Sequence, residues 1–309
     1  MARRRRGRPI DGILILDKPS GLSSNKALQR VKYLFNAAKA GHTGSLDPLA
    51  TGVLPLCFGE ATKLSQYLLD ADKTYDSTFT LGVATTTGDA EGEERSRTDT
   101  SGITRDQVEA AMAPFCGSID QTPSMYSAIK HEGRPLYELA RKGIEVPRKA
   151  RRITVYSYNL LAFRPGAVTE VDVRVHCSKG TYIRSLAEDL GESLGCGGHV
   201  SQLRRVQSGP FSLDESVSLP VLESLHNAGD SPAMDALLLP SQRALLGMPK
   251  VTLSESAGFY LRQGQAVLVP NAPCDGMVRC SLEDGEFLGI GEILDDGRVA
   301  PRRLMVTTR

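Results

Sequence analysis

Between Gly41 and Gly52 the chain reads Gly-His-Thr-Gly-Ser-Leu-Asp-Pro-Leu-Ala-Thr-Gly. Three glycines and a proline in twelve residues predict an irregular loop over Lys39–Gly52, not a helix or a strand. A loop of that length inside a compact domain is usually functional or disordered. Its composition is too specific for a spacer. Asp47 followed by Pro48 has two readings. One is an ordinary helix start, with Asp at the N-cap and Pro at the first helical position. The other is a carboxylate on a turn pressed against a ligand, a candidate nucleophile.

The flanking sequence predicts ordered structure on both sides. Ile13-Leu14-Ile15-Leu16, between Asp11 and Asp17, reads as a buried strand. Ser23 or Ser24 starts a helix with Leu28, Val31, Leu34 and Phe35 inward. Leu64 to Leu69 is helical. From Tyr75 to Val83, alternate residues are apolar or small, which predicts a strand. Thr104 and Gln107 form a capping box before a helix that runs through Met112. Val171, Val173, Val175 and Cys177 alternate as a further strand. Gly180-Thr181 opens a helix with Ile183, Leu186, Ala187, Leu190 and Leu194 inward, ended by a glycine cluster. Residues 214–247 are acidic and rich in Leu and Pro, consistent with helices closing a first domain. From Met248 onward short apolar stretches alternate with Asp-Gly turns, which predicts a small β-rich module. The expected division is a basic disordered tail over 1–9, a main domain over 10–247 and a small domain over 248–309.

The net charge of +1 is uninformative until it is localised. Residues 1–10 carry a net +5 and residues 120–152 a net +4, which leaves −8 for the remainder. Two basic segments on an acidic body suit contact with phosphates, as well as a solvated surface. The six cysteines are scattered, with no CxxC pair and no zinc spacing, which predicts free buried thiols in a reducing cytoplasm and no metal site. No apolar run is long enough to cross a membrane, and no signal-peptide core follows the N-terminal arginines.

Other residues become interesting beside Asp47. His42 precedes it by five positions, and by spacing alone is a satisfied loop histidine. Tyr75 reads equally as a core aromatic at a strand end. Arg184 could be a surface cation. If buried it needs a partner, and Asp47 would serve, with the pairing keeping the carboxylate ionised.

Six segments in order carry a family resemblance. Gly41 to Gly52 resembles the signature of the TruB family of tRNA pseudouridine synthases. Ile15-Leu16-Asp17-Lys18-Pro19-Ser20-Gly21 resembles that family's opening motif, and Lys73-Thr74-Tyr75 its tyrosine motif. Gln121-Thr122-Pro123-Ser124-Met125-Tyr126-Ser127-Ala128 resembles the start of its RNA-gripping insertion. Cys177 to Arg184 and His199 to Arg205 resemble its last two active-site motifs. Phe287 to Glu292 and Val299 to Arg303 resemble a PUA module.

The resemblance implies an α+β fold around a largely antiparallel sheet, with the site in a central cleft and a small PUA-like domain at the C-terminus. It implies isomerisation of uridine 55 in the tRNA T loop to pseudouridine, without cofactor or metal. Asp47 would be the nucleophile. Tyr75 would stack on the uracil, and its equivalent is discussed as the base that removes the C5 proton. Arg184 would pair with Asp47. Tyr182 and Leu203 would contact the flipped nucleotide, and His42 would occupy the place that the base vacates. Lys130, Arg141, Arg148, Arg151 and Arg152 on the insert 120–152 would grip RNA, and the PUA-like module would reach the acceptor stem. Nothing in the sequence demands more than a monomer or an obligate protein partner.

Three rivals remain open. A guide-dependent relative would share the Asp loop but lack the large basic insert. A non-catalytic RNA-binding protein on this scaffold would be expected to have lost Asp47 or Tyr75. A glycosidase would need a second well-placed carboxylate.

Overall fold

The computed structural model describes residues 7–127 and 129–306. The chain begins with β1 (Gly12–Lys18), whose apolar run is buried on both faces. Helix α1 (Ser24–Leu34) is capped by Ser23, whose hydroxyl accepts from the Lys26 N–H, and it buries Ala27, Leu28, Val31 and Leu34. Strands β2 (Ala40–His42) and β3 (Thr51–Phe58) pair antiparallel. The expected loop is therefore shorter than 39–52, because strand pairing captures both of its ends.

No helix starts at Asp47-Pro48. The Ala50 N–H donates to the Asp47 carbonyl at 3.1 Å, closing a tight turn, and Thr51 then enters β3. Pairing of β3 with β1 from Gly52↔Lys18 to Phe58↔Gly12 outweighs the local helix-start signal.

Helix α2 (Ser65–Leu69) leads to β4 (Lys73–Leu81), followed by β5 (Val83–Thr85) and β6 (Glu94–Arg97). The capping box is present on α3 (Arg105–Met112). After β7 (Gly117–Gln121) the basic insert folds as β8 (Lys130–His131), β9 (Arg134–Pro135) and α4 (Leu136–Ala140). It has its own apolar cluster of Met125, Leu136 and Leu139. Strands β10 (Arg151–Arg164) and β11 (Thr169–Cys177) form a long hairpin. Helix α5 (Ile183–Ser193) starts three residues after Gly180, with Tyr182 at its N-cap.

Strand β12 (Gly198–Ser208) runs through the middle of the main sheet. Short strands β13 (Phe211–Ser212) and β14 (Val217–Ser218) precede α6 (Leu219–Asn227) and α7 (Ser231–Ala236). The segment 214–247 therefore holds α6, α7 and a 3-10 turn over Ser241–Leu245, while β14 at its start and Leu239 further on both pair with β1. The sheet order is β14-β1-β3-β12-β4-β11-β10-β7, with β2 and β13 attached to β3 and β12. Within this sheet, among the described residues, β1–β14 and β3–β12 are parallel and the other pairs antiparallel.

A second, five-stranded sheet comprises β15 (Lys250–Leu253), β16 (Val267–Leu268), β17 (Met277–Leu282), β18 (Phe287–Ile293) and β19 (Arg298–Leu304). It carries a helix not expected from its turn-rich sequence, α8 (Glu255–Arg262), capped by Ser254. Val251, Leu261, Val278 and Val299 belong to its own core, and Ile290 joins a cluster with Ile13, Val53 and Phe211 of the main body.

Two further expectations are corrected. Six residues of the supposed tail, 1–6, lie outside the described residues, but Arg8 belongs to the folded body. It forms a bridge with Ala37 and an ion pair with Asp235. All six cysteines are free, but Cys116 and Cys274 are exposed.

Candidate active site

The Gly41–Gly52 loop closes one side of a cavity of about 290 Å³. Six separate segments line it, including Leu69 at the end of α2 and Ser127 of the insert, and four of them supply the residues of interest. Asp47 comes from the loop, Tyr75 from β4, Tyr182 and Arg184 from the start of α5, and Leu203 and Arg205 from β12. Gly52 explains how the loop returns so closely. It lies at φ +99°, and a Cβ there would fall 2.2 Å from the Arg205 carbonyl oxygen. Only glycine allows that backbone contact.

Arg184 is the best-anchored residue of the site. Its side chain is 4% exposed, and its Nε stands 3.0 Å from Asp47 Oδ2 and 3.8 Å from Asp89 Oδ2. Nη1 donates to the Thr87 carbonyl at 3.0 Å and Nη2 to the Tyr126 carbonyl at 2.9 Å. A cation in the first turn opposes the helix dipole. Here two carboxylates and two carbonyls compensate for it.

The Asp47 side chain keeps 41% of its surface toward the cavity. Burial by the surrounding protein pushes its pKa above the ordinary carboxylate value, and Asp89 adds to that. Arg184 and Lys18 pull it back without cancelling the rise. The expectation that pairing alone sets the charge state is thus incomplete. Desolvation is the larger effect, and the arginine limits it.

Tyr75 is pushed upward in pKa by burial, with Arg205 opposing. Tyr182 is likewise raised by burial. Its position at the N-cap of α5 sets the side chain at the cavity wall. Leu203 contributes its side chain to the wall and its carbonyl to Thr51 Oγ1 at 3.5 Å. His42 is not among the residues lining this cavity. Its Nδ1 is buried without a hydrogen-bond partner. Burial and Arg205 lower its pKa, so the ring is neutral near pH 7.

Several residues of the site were not singled out in the sequence. Asp89 hides in an acidic loop, where one Asp looks like any other. Lys18 is fully buried and donates to the carbonyls of Pro19 and Leu22 at 2.8 and 2.6 Å. Its pKa falls to about 8, chiefly through burial. Arg205 is 1% exposed. Its Nε donates to the Val53 carbonyl at 2.7 Å and its Nη2 to the Gly44 carbonyl at 3.2 Å. Both cations lie in motifs already noted, yet only the fold reveals that they are buried.

The five basic residues named on the insert do not behave alike. Lys130, Arg141, Arg151 and Arg152 are exposed. Arg141 lies over the Tyr137 ring, and Arg152 is 3.3 Å from Asp120. Arg148 is only 26% exposed and donates to the Pro123 carbonyl at 3.0 Å. It braces the insert, and less of it faces solvent than its sequence position suggested. Among the described residues no group of three His, Cys, Asp or Glu side chains is placed to hold a metal ion. No helix among them is long and apolar enough to cross a membrane.

Comparison with known proteins agrees with this geometry. The chain matches the TruB family pseudouridylate synthase N-terminal domain over residues 32–183. It matches the tRNA pseudouridylate synthase B C-terminal domain over 184–246 and the pseudouridine synthase II TruB C-terminal model over 249–305. It is 55% identical to the tRNA pseudouridine synthase B of Pseudomonas aeruginosa over 96% of this chain and 97% of that one. It is 53% identical to that of Coxiella burnetii over 96% of each. Among solved structures it superposes on an H/ACA RNP bound to a substrate RNA containing 2'-deoxyuridine. That match has a TM-score of 0.74 and 25% identity, covering 99% of this chain and 92% of that one. A Cbf5-Nop10-Gar1 complex gives 0.71 and 27%, covering 96% and 84%.

Proposed function

The chain belongs to the TruB family of pseudouridine synthases, and on that premise we propose that it converts uridine 55 in the T loop of tRNA to pseudouridine, with Asp47 as nucleophile. The C1′–N1 bond breaks and a C1′–C5 bond forms. C5 loses a proton and N1 gains one, so the product is an isomer and the reaction consumes nothing else.

One observation carries this reading. Asp47 and Arg184 form an ion pair at the floor of a cavity walled by Tyr75, Tyr182 and Leu203. A nucleophilic carboxylate must be ionised and oriented. Arg184 serves both needs, because it lowers the Asp47 pKa and fixes one oxygen. The aromatic walls suit a base taken out of its stack. Extrusion costs a few kcal/mol and needs stacking in return. Tyr75, half-buried near the start of β4, would stack on the uracil and receive the C5 proton. His42, with a neutral ring whose Nδ1 has no hydrogen-bond partner, would fill the gap left in the RNA.

The insert 120–152 would grip the RNA through Lys130, Arg141, Arg151 and Arg152, recognising backbone and shape. Residues 10–247 would form the catalytic domain and 248–309 a PUA-like module reaching toward the acceptor stem. The enzyme would act in the cytoplasm, alone and without a guide. The 53–55% identity to proteins named tRNA pseudouridine synthase B, against 25% to the H/ACA RNP chain, favours that reading over its rival. The test is to map pseudouridine in a T-stem-loop transcript treated with the protein and with Asp47→Asn. The wild type should modify one uridine. The variant should bind the RNA within a few-fold and modify none, and modification by the variant would overturn the assignment.

A further inference from the structure

Gln121 is the last residue of β7 and sits at the root of the insert, paired in register with Arg151 where the chain returns. Its side chain is polar yet only 4% exposed. The carboxamide is used at both ends. Oε1 accepts from the Tyr182 N–H at 2.7 Å, and Nε2 donates to the Tyr182 carbonyl at 3.0 Å. A side-chain amide thus copies the two hydrogen bonds that a neighbouring strand would make. It does so at the N-cap of α5, where no side chain of the helix's own supplies a cap. Two residues further on, Arg184 donates to the carbonyl of Tyr126, within the same insert.

We propose that Gln121 is a positioning residue: by clamping the main chain of Tyr182 it sets both the cavity wall and the Arg184–Asp47 pair, and it ties their placement to the seating of the insert. The inference rests on the reaction proposed above. An amide is required for the clamp as it stands. A carboxylate offers acceptors only, so it would keep the bond from the Tyr182 N–H and set an oxygen against the Tyr182 carbonyl. A protonated carboxyl would regain a donor for that carbonyl. A thioether or hydrocarbon of similar size would leave the Tyr182 N–H unpaired and its carbonyl with only the bond from the Leu186 N–H at 3.3 Å.

The test compares Gln121→Met and Gln121→Glu with the wild type on a T-stem-loop transcript, in single-turnover and binding assays. Gln121→Met should lower the single-turnover rate about 10- to 100-fold, as misplacement of reacting groups generally does, with RNA affinity changed less than about threefold. Gln121→Glu should be slow at pH 8 and recover relative to wild type as pH falls toward 5.5, because protonation restores the donor. The cavity beside Gln121 also holds Arg95, Asp120, Glu145, Arg148, Glu188 and Asp189. Their titration is common to both proteins, so the ratio of rates isolates residue 121. A Gln121→Glu ratio flat with pH, or an undiminished Gln121→Met rate, overturns the proposal. If Gln121→Met does not fold, the Gln121→Glu ratio decides. Wild-type turnover with a dead Asp47→Asn control in the same assay separates failure of this inference from failure of the underlying reaction.

Discussion

Asp47 Oδ2 lies 3.0 Å from Arg184 Nε, although 137 residues separate the two in sequence. The pair is unequal. The arginine is almost fully enclosed and has four acceptors around it, whereas the aspartate keeps an open side toward the cavity. That difference suits the proposed roles, with the arginine as scaffold and the aspartate as the reactive member.

That inequality predicts a stability cost at Asp47. The folded-state pKa of Asp47 is raised, so its ionisation penalises the native state above that pKa and not below the unfolded value. Asp47→Asn should therefore melt at the same or a higher temperature than wild type at pH 8. Its advantage should shrink as pH falls toward 4. Calorimetry across that range checks it, and a variant less stable at pH 8 than at pH 4 relative to wild type contradicts it.

The same shift bears on rate. If Asp47 is the nucleophile as proposed, the acid limb of the wild-type pH–rate profile should lie above the ordinary carboxylate pKa, since the ionised form is the one that attacks. Rates measured on a saturating T-stem-loop locate the limb. A limb at or below the unperturbed value would mean that Arg184 outweighs burial.

Arg184 should tolerate no conservative replacement. Lysine has one charged nitrogen and cannot reach two carboxylates and two carbonyls arranged around a fork. Arg184→Met leaves Asp47 and Asp89 without their shared cation. Loss of one partner of a buried ion pair costs about 3–5 kcal/mol. Denaturant unfolding should register a loss of that order for Met. Both variants should be inactive at pH 7.

Gly52 should be refractory to alanine. The substitution meets a positive φ, costing about 1–3 kcal/mol, and a contact of 2.2 Å with the Arg205 carbonyl. Gly52→Ala should lower the melting temperature and slow turnover together, because the strain acts on the loop that carries Asp47. A soluble variant with wild-type rate and stability would mean the loop relaxes freely.

Salt dependence of RNA binding should sort the basic residues of the insert. Replacing Lys149, Arg151 and Arg152 with glutamine should flatten the slope of log K against log salt by about 0.7–0.9 for each phosphate that is no longer neutralised. Arg148→Gln should instead loosen the insert, because its bond to the Pro123 carbonyl is internal. Titration at several salt concentrations, with proteolysis of the insert as a second readout, distinguishes the two effects.

Much of this was legible in the sequence where local chemistry is decisive. The capping box at Thr104, the period-two runs of β4 and β11, and the apolar stripe of α1 specify their own elements. The Asp-Pro dipeptide misleads because the helix-start signal is worth about 1 kcal/mol, less than a ladder between β1 and β3 that runs the whole length of β1. Arg184 could be suspected from its place in a helix's first turn, but its enclosure could not. Asp89, Arg205 and Gln121 become meaningful only when distant segments meet. A buried polar side chain has no sequence mark that separates it from an exposed one.

Strand β12 has a consequence for how the molecule comes into being. It joins β3 on one side to β4 on the other. Without it, β1, β2 and β3 form one sheet and β4, β11, β10 and β7 another. Asp47 travels with the first sheet and Arg184 with the second. A nascent chain that has not yet extruded Gly198–Ser208 therefore lacks the strand that joins the sheet near Asp47 to the sheet near Arg184. Closure must wait for contacts of long sequence separation, the slow kind. In such a protein the Asp47–Arg184 pair depends on a strand that arrives more than 140 residues after the β3 edge it joins.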